Sequence, residues 1–176
     1  MTVSPKPADF PSLYFRSALG RFPTGVTIIT AEHPDNGQPI GLTISSFSSV
    51  SLDPPMVLWS LTHTASSLPA FMALDRYVIH VLSASQIDLA RRFAKGAQAE
   101  RFAEVPLDRA PNGTLMLGDD RSAAWFECHN TQQHQAGDHT VFVGQVEHCH
   151  RQLLSPLIYH AGDFDLTQGS EPLSRN

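Results

Sequence analysis

The sequence predicts a mainly β protein: a Greek-key or partly open β-barrel carrying a few short helices. Three observations carry that prediction. Runs of strand length recur at 25–31 (the β-branched GVTIITA), 40–50, 56–61, 77–82 and 140–146. Breaker signals separate them, notably Asn36-Gly37, Asp53-Pro54-Pro55 and Gly137-Asp138. Long βα units are missing, which disfavours a doubly wound parallel sheet and favours a barrel of many short strands.

Residues 1–9 hold Pro5 and Pro7 among small and polar side chains and predict a flexible arm. A helix follows at 12–19, with Leu13, Phe15 and Leu19 as its apolar positions, and Gly20 or Phe22-Pro23 ends it. The strands at 25–31 and 40–50 flank the Asn36-Gly37 turn and pair antiparallel. After Asp53-Pro54-Pro55 comes MVLWSL at 56–61. Ser66 or Ser67 caps a short helix bearing Leu68, Phe71 and Leu74, with Pro69 tolerated in its first turn. A strand at 77–82 precedes a helix whose capping box is Ser85 with Asp88 and whose apolar face is Ile87, Leu89, Ala90 and Phe93. Residues 95–113 read as loop. Short strands are expected at 115–117, 123–128 and 157–160, and a clearer one at 140–146. The domain therefore spans 10–166, and the polar stretch 167–176 forms a tail.

The composition narrows the function classes. The chain has 176 residues, 41% hydrophobic and 16% charged, with 12 basic against 17 acidic side chains and a formal charge of -5. Its only lysines are Lys6 and Lys95, so no polybasic face exists to attract nucleic acid or an anionic membrane. No apolar run approaches the length of a membrane span. Cys128 and Cys149 are too few for a disulfide scaffold. The first residues lack the basic start and apolar core of a secretion signal, so a cytoplasmic location is expected.

Several clusters are chemically suggestive, each with a plain structural alternative. Thr43 to Ser51 (TISSFSSVS) puts hydroxyls on both faces of a strand. Such hydroxyls and the neighbouring N–H groups suit a phosphate or ribityl chain; the alternative is an edge strand running into a loop. Gly137-Asp138-His139 is either an acid/base or ligand-positioning pair, or an Asx turn entering a strand. His148 and His150 share a strand face and, with His129, raise the question of a metal; no third ligand has a defined position, and no metal is expected. Arg91 and Arg92 complement a helix C-terminus or reach a phosphate. Trp59 and Trp125 lie inside strands, as core or interface residues.

The ordered segments Phe15-Arg16, 22–27 (FPTGVT), 41–55 (GLTISSFSSVSLDPP), Val81-Leu82, Gln86, Leu89-Ala90, Phe93-Ala94, Glu127-Cys128, 137–146 (GDHTVFVGQV) and 156–159 (PLIY) carry a resemblance. Over roughly residues 10–165 the chain resembles the short flavin reductases of the split-barrel, FMN-binding type. Many of these supply reduced flavin to two-component monooxygenases.

The resemblance implies a split β-barrel and an oxidoreductase that transfers a hydride from NADH or NADPH to a bound flavin, FMN before FAD. It implies a homodimer with flavin near the subunit interface and a monooxygenase that receives the reduced flavin. By the same resemblance Thr43, Ser45 and Ser46 line the flavin, and Ser60, Ser66 and Ser67 reach its ribityl-phosphate side. Arg92 and Lys95 are the phosphate contacts, and Tyr159 lies near the ring. His139 sits in the nicotinamide approach path, with Asp138 fixing the turn. Two segments depart from the pattern. Leu61-Thr62-His63-Thr64 replaces an asparagine-centred segment, and Gly113-Thr114-Leu115 with Gly118-Asp119-Asp120 replaces a glycine-proline loop. No glycine-rich dinucleotide fingerprint follows a strand, which suits a nicotinamide that stacks in an open cleft. The competing readings are a flavin-binding electron carrier of the same fold, a cupin-like metal enzyme, and a non-catalytic barrel that binds a partner.

Overall fold

The structure, a computed structural model, describes residues 8–118 and 120–165. The expected arm falls outside these residues but for its last two, and the expected tail falls outside altogether. Helix α1 (Ser12–Leu19) leads into β1 (Thr24–Gly25), β2 (Thr27–Glu32), β3 (Pro39–Ile44), β4 (Ser48–Leu52) and β5 (Pro55–Thr62). Then come α2 (Leu68–Ala73), β6 (Arg76–Val81), α3 (Ile87–Phe93), α4 (Gln98–Phe102), β7 (Leu107–Arg109) and β8 (Leu115–Leu117). The long pair β9 (Ala124–Ala136) and β10 (His139–Arg151) precedes β11 (Ile158–His160) and β12 (Asp163–Asp165).

Seven strands form one antiparallel sheet in the order β3-β2-β6-β9-β10-β5-β4. Its two edges, β3 and β4, are consecutive in the chain and joined only by Ser45-Ser46-Phe47. Four peptide steps reach about 14 Å at most. The sheet must therefore roll until its edges face each other, which makes a barrel with one open seam. Strands β1, β11 and β12 form a small sheet at one end, and β7 pairs with β8.

The strand patterns follow from this rolled sheet. On β5, Val57, Trp59 and Leu61 alternate inward. Trp59 stacks on Phe142 at 4.4 Å between centroids and meets Phe71 and Tyr77 edge-on. Strand β2 is buried on both faces, which is why its sequence reads as a β-branched run with no alternation of polar and apolar positions. Ile29 and Ala31 join the barrel interior, while Ile28 joins a second core with Val26, Leu82, Ala90, Phe93, Leu117 and Leu157. That second core seats α3 against the outside of the barrel.

Several sequence expectations change. The single strand at 40–50 is two strands, because 45–47 crosses the seam and β4 pairs with β5 instead of β2. The loop at 95–113 contains α4 and β7. Strands β9 and β10 run well past 128 and 146. Their tip, from Thr131 to Ala136 on β9, is exposed on both faces, so no alternation marked it. The capping box before α3 closes earlier than Ser85 and Asp88: the Ser83 N–H donates to Gln86 Oε1 at 3.0 Å, and Ser83 Oγ bonds Ser85 Oγ at 2.9 Å. Ser67 does sit at the N-cap of α2, but its side chain makes no cap hydrogen bond. No helix among the described residues is long and apolar enough to cross a membrane.

Candidate active site

The seam opens into a cavity of about 500 Å³, within the usual range for small-ligand sites. One wall is β3 and the seam link, from Leu42 to Ser46. The facing wall is the end of β5 and the segment into α2, with Ser60, Thr62, Thr64, Ser66 and Ser67. Phe93, Ala94 and Arg101 close one side, and His139 at the start of β10 also lines the cavity.

Ser46 holds the seam. Its hydroxyl donates to the Ser60 carbonyl at 3.1 Å and accepts the Ser60 N–H at 3.0 Å. The β4–β5 ladder ends at Ser48 opposite Leu58. Two residues further on, Ser46 falls opposite Ser60 in the same register, and its side chain replaces the missing backbone partner. Thr43 is likewise committed, donating to the Ala90 carbonyl at 2.7 Å and so tying β3 to α3. The hydroxyls of Ser45, Ser60, Ser66 and Ser67 have no hydrogen-bond partner among the described residues and remain available to a ligand.

Arg101 reaches this cavity because α4 folds back onto β3. The Gly41 N–H donates to Gln98 Oε1 at 2.9 Å, and the Gly41 carbonyl accepts from Arg101 Nη1 at 2.7 Å. The close approach needs a glycine. A Cβ at position 41 would lie 2.9 Å from the Phe102 ring and 3.0 Å from that of Phe93. Arg101 Nε also donates to the carbonyls of Lys95 and Gly96 at 3.3 and 3.2 Å. Burial pulls this guanidinium below its ordinary value, but it stays a cation at any working pH.

At the start of β10, His139 Nδ1 lies 2.7 Å from Asp138 Oδ1. That hydrogen bond holds the Asp138 carboxyl below its ordinary value. An ionised carboxylate only accepts, so Nδ1 carries the proton and Nε2 is left free. The Asp138 carbonyl accepts the His63 N–H at 2.8 Å, which fixes the turn against the end of β5.

Thr43, Ser45, Ser46, Ser60, Ser66, Ser67 and His139 thus gather around one cavity. Asp138 stands behind His139. Arg92 and Lys95 are exposed and outside the wall; Arg92 Nε turns to the Glu100 carbonyl at 3.2 Å. Tyr159 packs in the second core, its ring 5.5 Å from that of Phe164, and also lies outside the cavity wall. Sequence reasoning missed Arg101, since 95–113 read as loop. The available signal was Glu100, whose Oε2 accepts the Ala97 N–H at 3.1 Å and caps α4. Among the described residues, no three His, Cys, Asp or Glu side chains are grouped so as to hold a metal ion.

The fold and site define a split barrel with a cavity at its seam, lined by hydroxyls and by apolar side chains. Residues 19–167 match the Flavin reductase like domain family, and the chain belongs to that family. It is 43% identical over 150 residues to the FMN reductase (NADH) SmoA of Agrobacterium fabrum, covering 85% of this chain and 83% of that one. It is 42% identical over 149 residues to the stachydrine N-demethylase reductase subunit Stc3 of Rhizobium meliloti; the match covers 85% of this chain but only 63% of that protein. The structure of the Streptomyces globisporus NADH:FAD oxidoreductase SgcE6 superposes with a TM-score of 0.80 at 31% identity, covering 90% of this chain and 96% of that one.

Proposed function

We propose that this protein is a flavin reductase that uses NADH or NADPH to reduce FMN and passes the reduced flavin to a monooxygenase. The observation that carries this reading is the seam cavity. It offers four unengaged hydroxyls and a half-buried cation beside an apolar wall of Ile44, Leu61, Phe93 and Ala94. Flavin mononucleotide presents the complementary parts: a flat ring, a polyhydroxyl chain and a phosphate. SmoA, an FMN reductase, supports FMN before FAD; SgcE6, an NADH:FAD oxidoreductase, shows that the fold also accommodates the larger flavin. Stc3, a reductase subunit, supports delivery to a partner enzyme.

A flavin held in the cavity would supply the redox chemistry, as the acceptor for a hydride of the reduced nicotinamide. The chain's own residues bind and orient. Ser45, Ser60, Ser66 and Ser67 grip the polyhydroxyl chain, and the apolar wall keeps water from the ring. Thr43 and Ser46 hold the two sides of the seam at fixed separation. His139 presents Nε2 at the open side, where its neutral form accepts a hydrogen bond from a group such as the nicotinamide carboxamide.

The same reading includes a homodimer. Helix α1 buries none of its residues, leaving Leu13, Tyr14, Phe15 and Leu19 exposed, and Leu52 on edge strand β4 is 94% exposed. Apolar surface of this extent is unusual on a monomer. We place the protein in the cytoplasm, consistent with free thiols at both Cys128 and Cys149.

Steady-state oxidation of NADH and of NADPH, with FMN or FAD added, tests the activity. Nicotinamide oxidation that requires added flavin is expected. Flavin binding without such turnover would instead make this a flavin carrier of the same fold.

A further inference from the structure

We infer that α4 is a lid on the seam cavity, hinged at Gly96 and Glu104, whose opening sets how fast a flavin enters and leaves. The inference rests on the flavin reading above for its occupant; the motion of α4 does not depend on it.

Four observations support it. Helix α4 carries Arg101 into the cavity wall beside Phe93 and Ala94, so parting α4 from β3 widens the cavity on that side. Its hold on the barrel is slight. Gln98 Oε1 accepts the Gly41 N–H at 2.9 Å, and Arg101 Nη1 donates to the Gly41 carbonyl at 2.7 Å, both at the outer edge of β3. Phe102 adds an edge-on contact with Phe93, centroids 4.8 Å apart, and the Glu100 carbonyl accepts Arg92 Nε at 3.2 Å. The helix buries none of its five residues, whereas α3 buries Ala90 and Phe93 in the second core. The chain turns through positive φ on both sides of α4, at Gly96 (+80°) and at Glu104 (+59°).

A segment with few buried contacts and exposed hydrogen bonds is among the first parts of a fold to open. On opening, the Gly41 groups exchange Gln98 and Arg101 for water, so each bond holds the lid by a small net amount. Glu104 lacks glycine's freedom in the left-handed region, and leaving that conformation relieves strain. The segment also keeps its own internal bonds as it moves. Glu100 Oε2 accepts the Ala97 N–H at 3.1 Å, and Arg101 Nε donates to the Lys95 and Gly96 carbonyls. In the proposed cycle a flavin stays while it is reduced and leaves afterwards. A weakly latched lid serves both needs, and such motions set the turnover of many enzymes.

The test weakens the latch away from the cavity wall. Gln98→Met keeps the length and helix propensity of the side chain and removes the acceptor, whereas Gln98→Glu keeps one. Hydrogen exchange of the ligand-free protein reads the opening. Amides 98–104 should exchange faster than those of β3 in wild type, and about threefold to tenfold faster again in Gln98→Met. Gln98→Glu should exchange no faster than wild type. Stopped-flow binding of FMN reads the gate: in Gln98→Met the association and dissociation rate constants should rise by the same factor, leaving Kd within about twofold. Faster dissociation with an unchanged association rate would overturn the inference, since α4 would then be a fixed wall. So would exchange at 98–104 that Gln98→Met does not accelerate. Acceleration spread equally over α3 and β3 with a lowered Tm would show a global loss of stability, and overturn it too. Wild type that binds no FMN would overturn the flavin reading and the flavin gate with it, and the exchange data would still show whether α4 opens.

Discussion

Ser46→Ala separates the seam's structural role from its ligand-binding role. The Ser46 hydroxyl makes two hydrogen bonds to the Ser60 backbone, at 3.0 and 3.1 Å, where the β4–β5 ladder has already ended. Each such bond contributes roughly 0.5–1.5 kcal/mol net, so losing both costs about 2 kcal/mol. In a chain of this length that corresponds to a fall of roughly 4–8 °C in Tm. Ser45, one residue earlier, is exposed and has no hydrogen-bond partner among the described residues. Ser45→Ala should therefore melt within about 1 °C of wild type, as surface substitutions usually do, yet bind FMN more weakly. The assay is thermal unfolding by circular dichroism without flavin, at matched protein concentration because association shifts Tm. Equal melting temperatures for the two variants would refute the seam argument.

The packing, the acid response and the nicotinamide side give further expectations. A Cβ at Gly144 would lie 2.4 Å from the hydroxyl of the buried Tyr77, so Gly144→Ala should cost about 1–3 kcal/mol in chemical denaturation, and less in a Tyr77→Phe background. Glu147 accepts from Arg76 Nε at 2.7 Å and from Asn112 Nδ2 at 2.8 Å, and the Arg76 hydrogen bond lowers its pKa from the ordinary 4.5. A carboxylate lowered in the folded state stabilises above its unfolded pKa and loses that contribution as pH falls through the folded value. Glu147→Gln should then be less stable than wild type at neutral pH, and the gap should close below about pH 4.5 in a series of melts. His139→Ala should keep FMN affinity while slowing flavin reduction by the nicotinamide in stopped flow. Wild-type reduction rates with only a lowered Tm would leave His139 as a turn residue.

The residues that make the site were more legible than the path that assembles it. The hydroxyl-rich stretch 43–51 and the Gly137-Asp138-His139 turn stand out because polar residues interrupt apolar strands, and the cavity gathers Thr43, Ser45, Ser46 and His139. The break between β3 and β4 was not legible. Ser45-Ser46-Phe47 continues a strand-like pattern locally, and only the rolling of the whole sheet turns it into a crossing of the seam. Arg101 was hidden for a related reason. Helix α4 has five residues and buries none, so it left no apolar periodicity, and its place is set by contacts with Gly41 some sixty positions earlier. Tyr159 shows the converse. Its segment carried part of the resemblance, while its ring serves the second core beside Phe164.

The most direct test of the central claim is a crystal structure of the protein grown with FMN. Flavin density is expected in the seam cavity, with ribityl or phosphate oxygens within hydrogen-bond distance of Ser45, Ser60, Ser66 or Ser67. Flavin bound anywhere other than the seam cavity would contradict that claim.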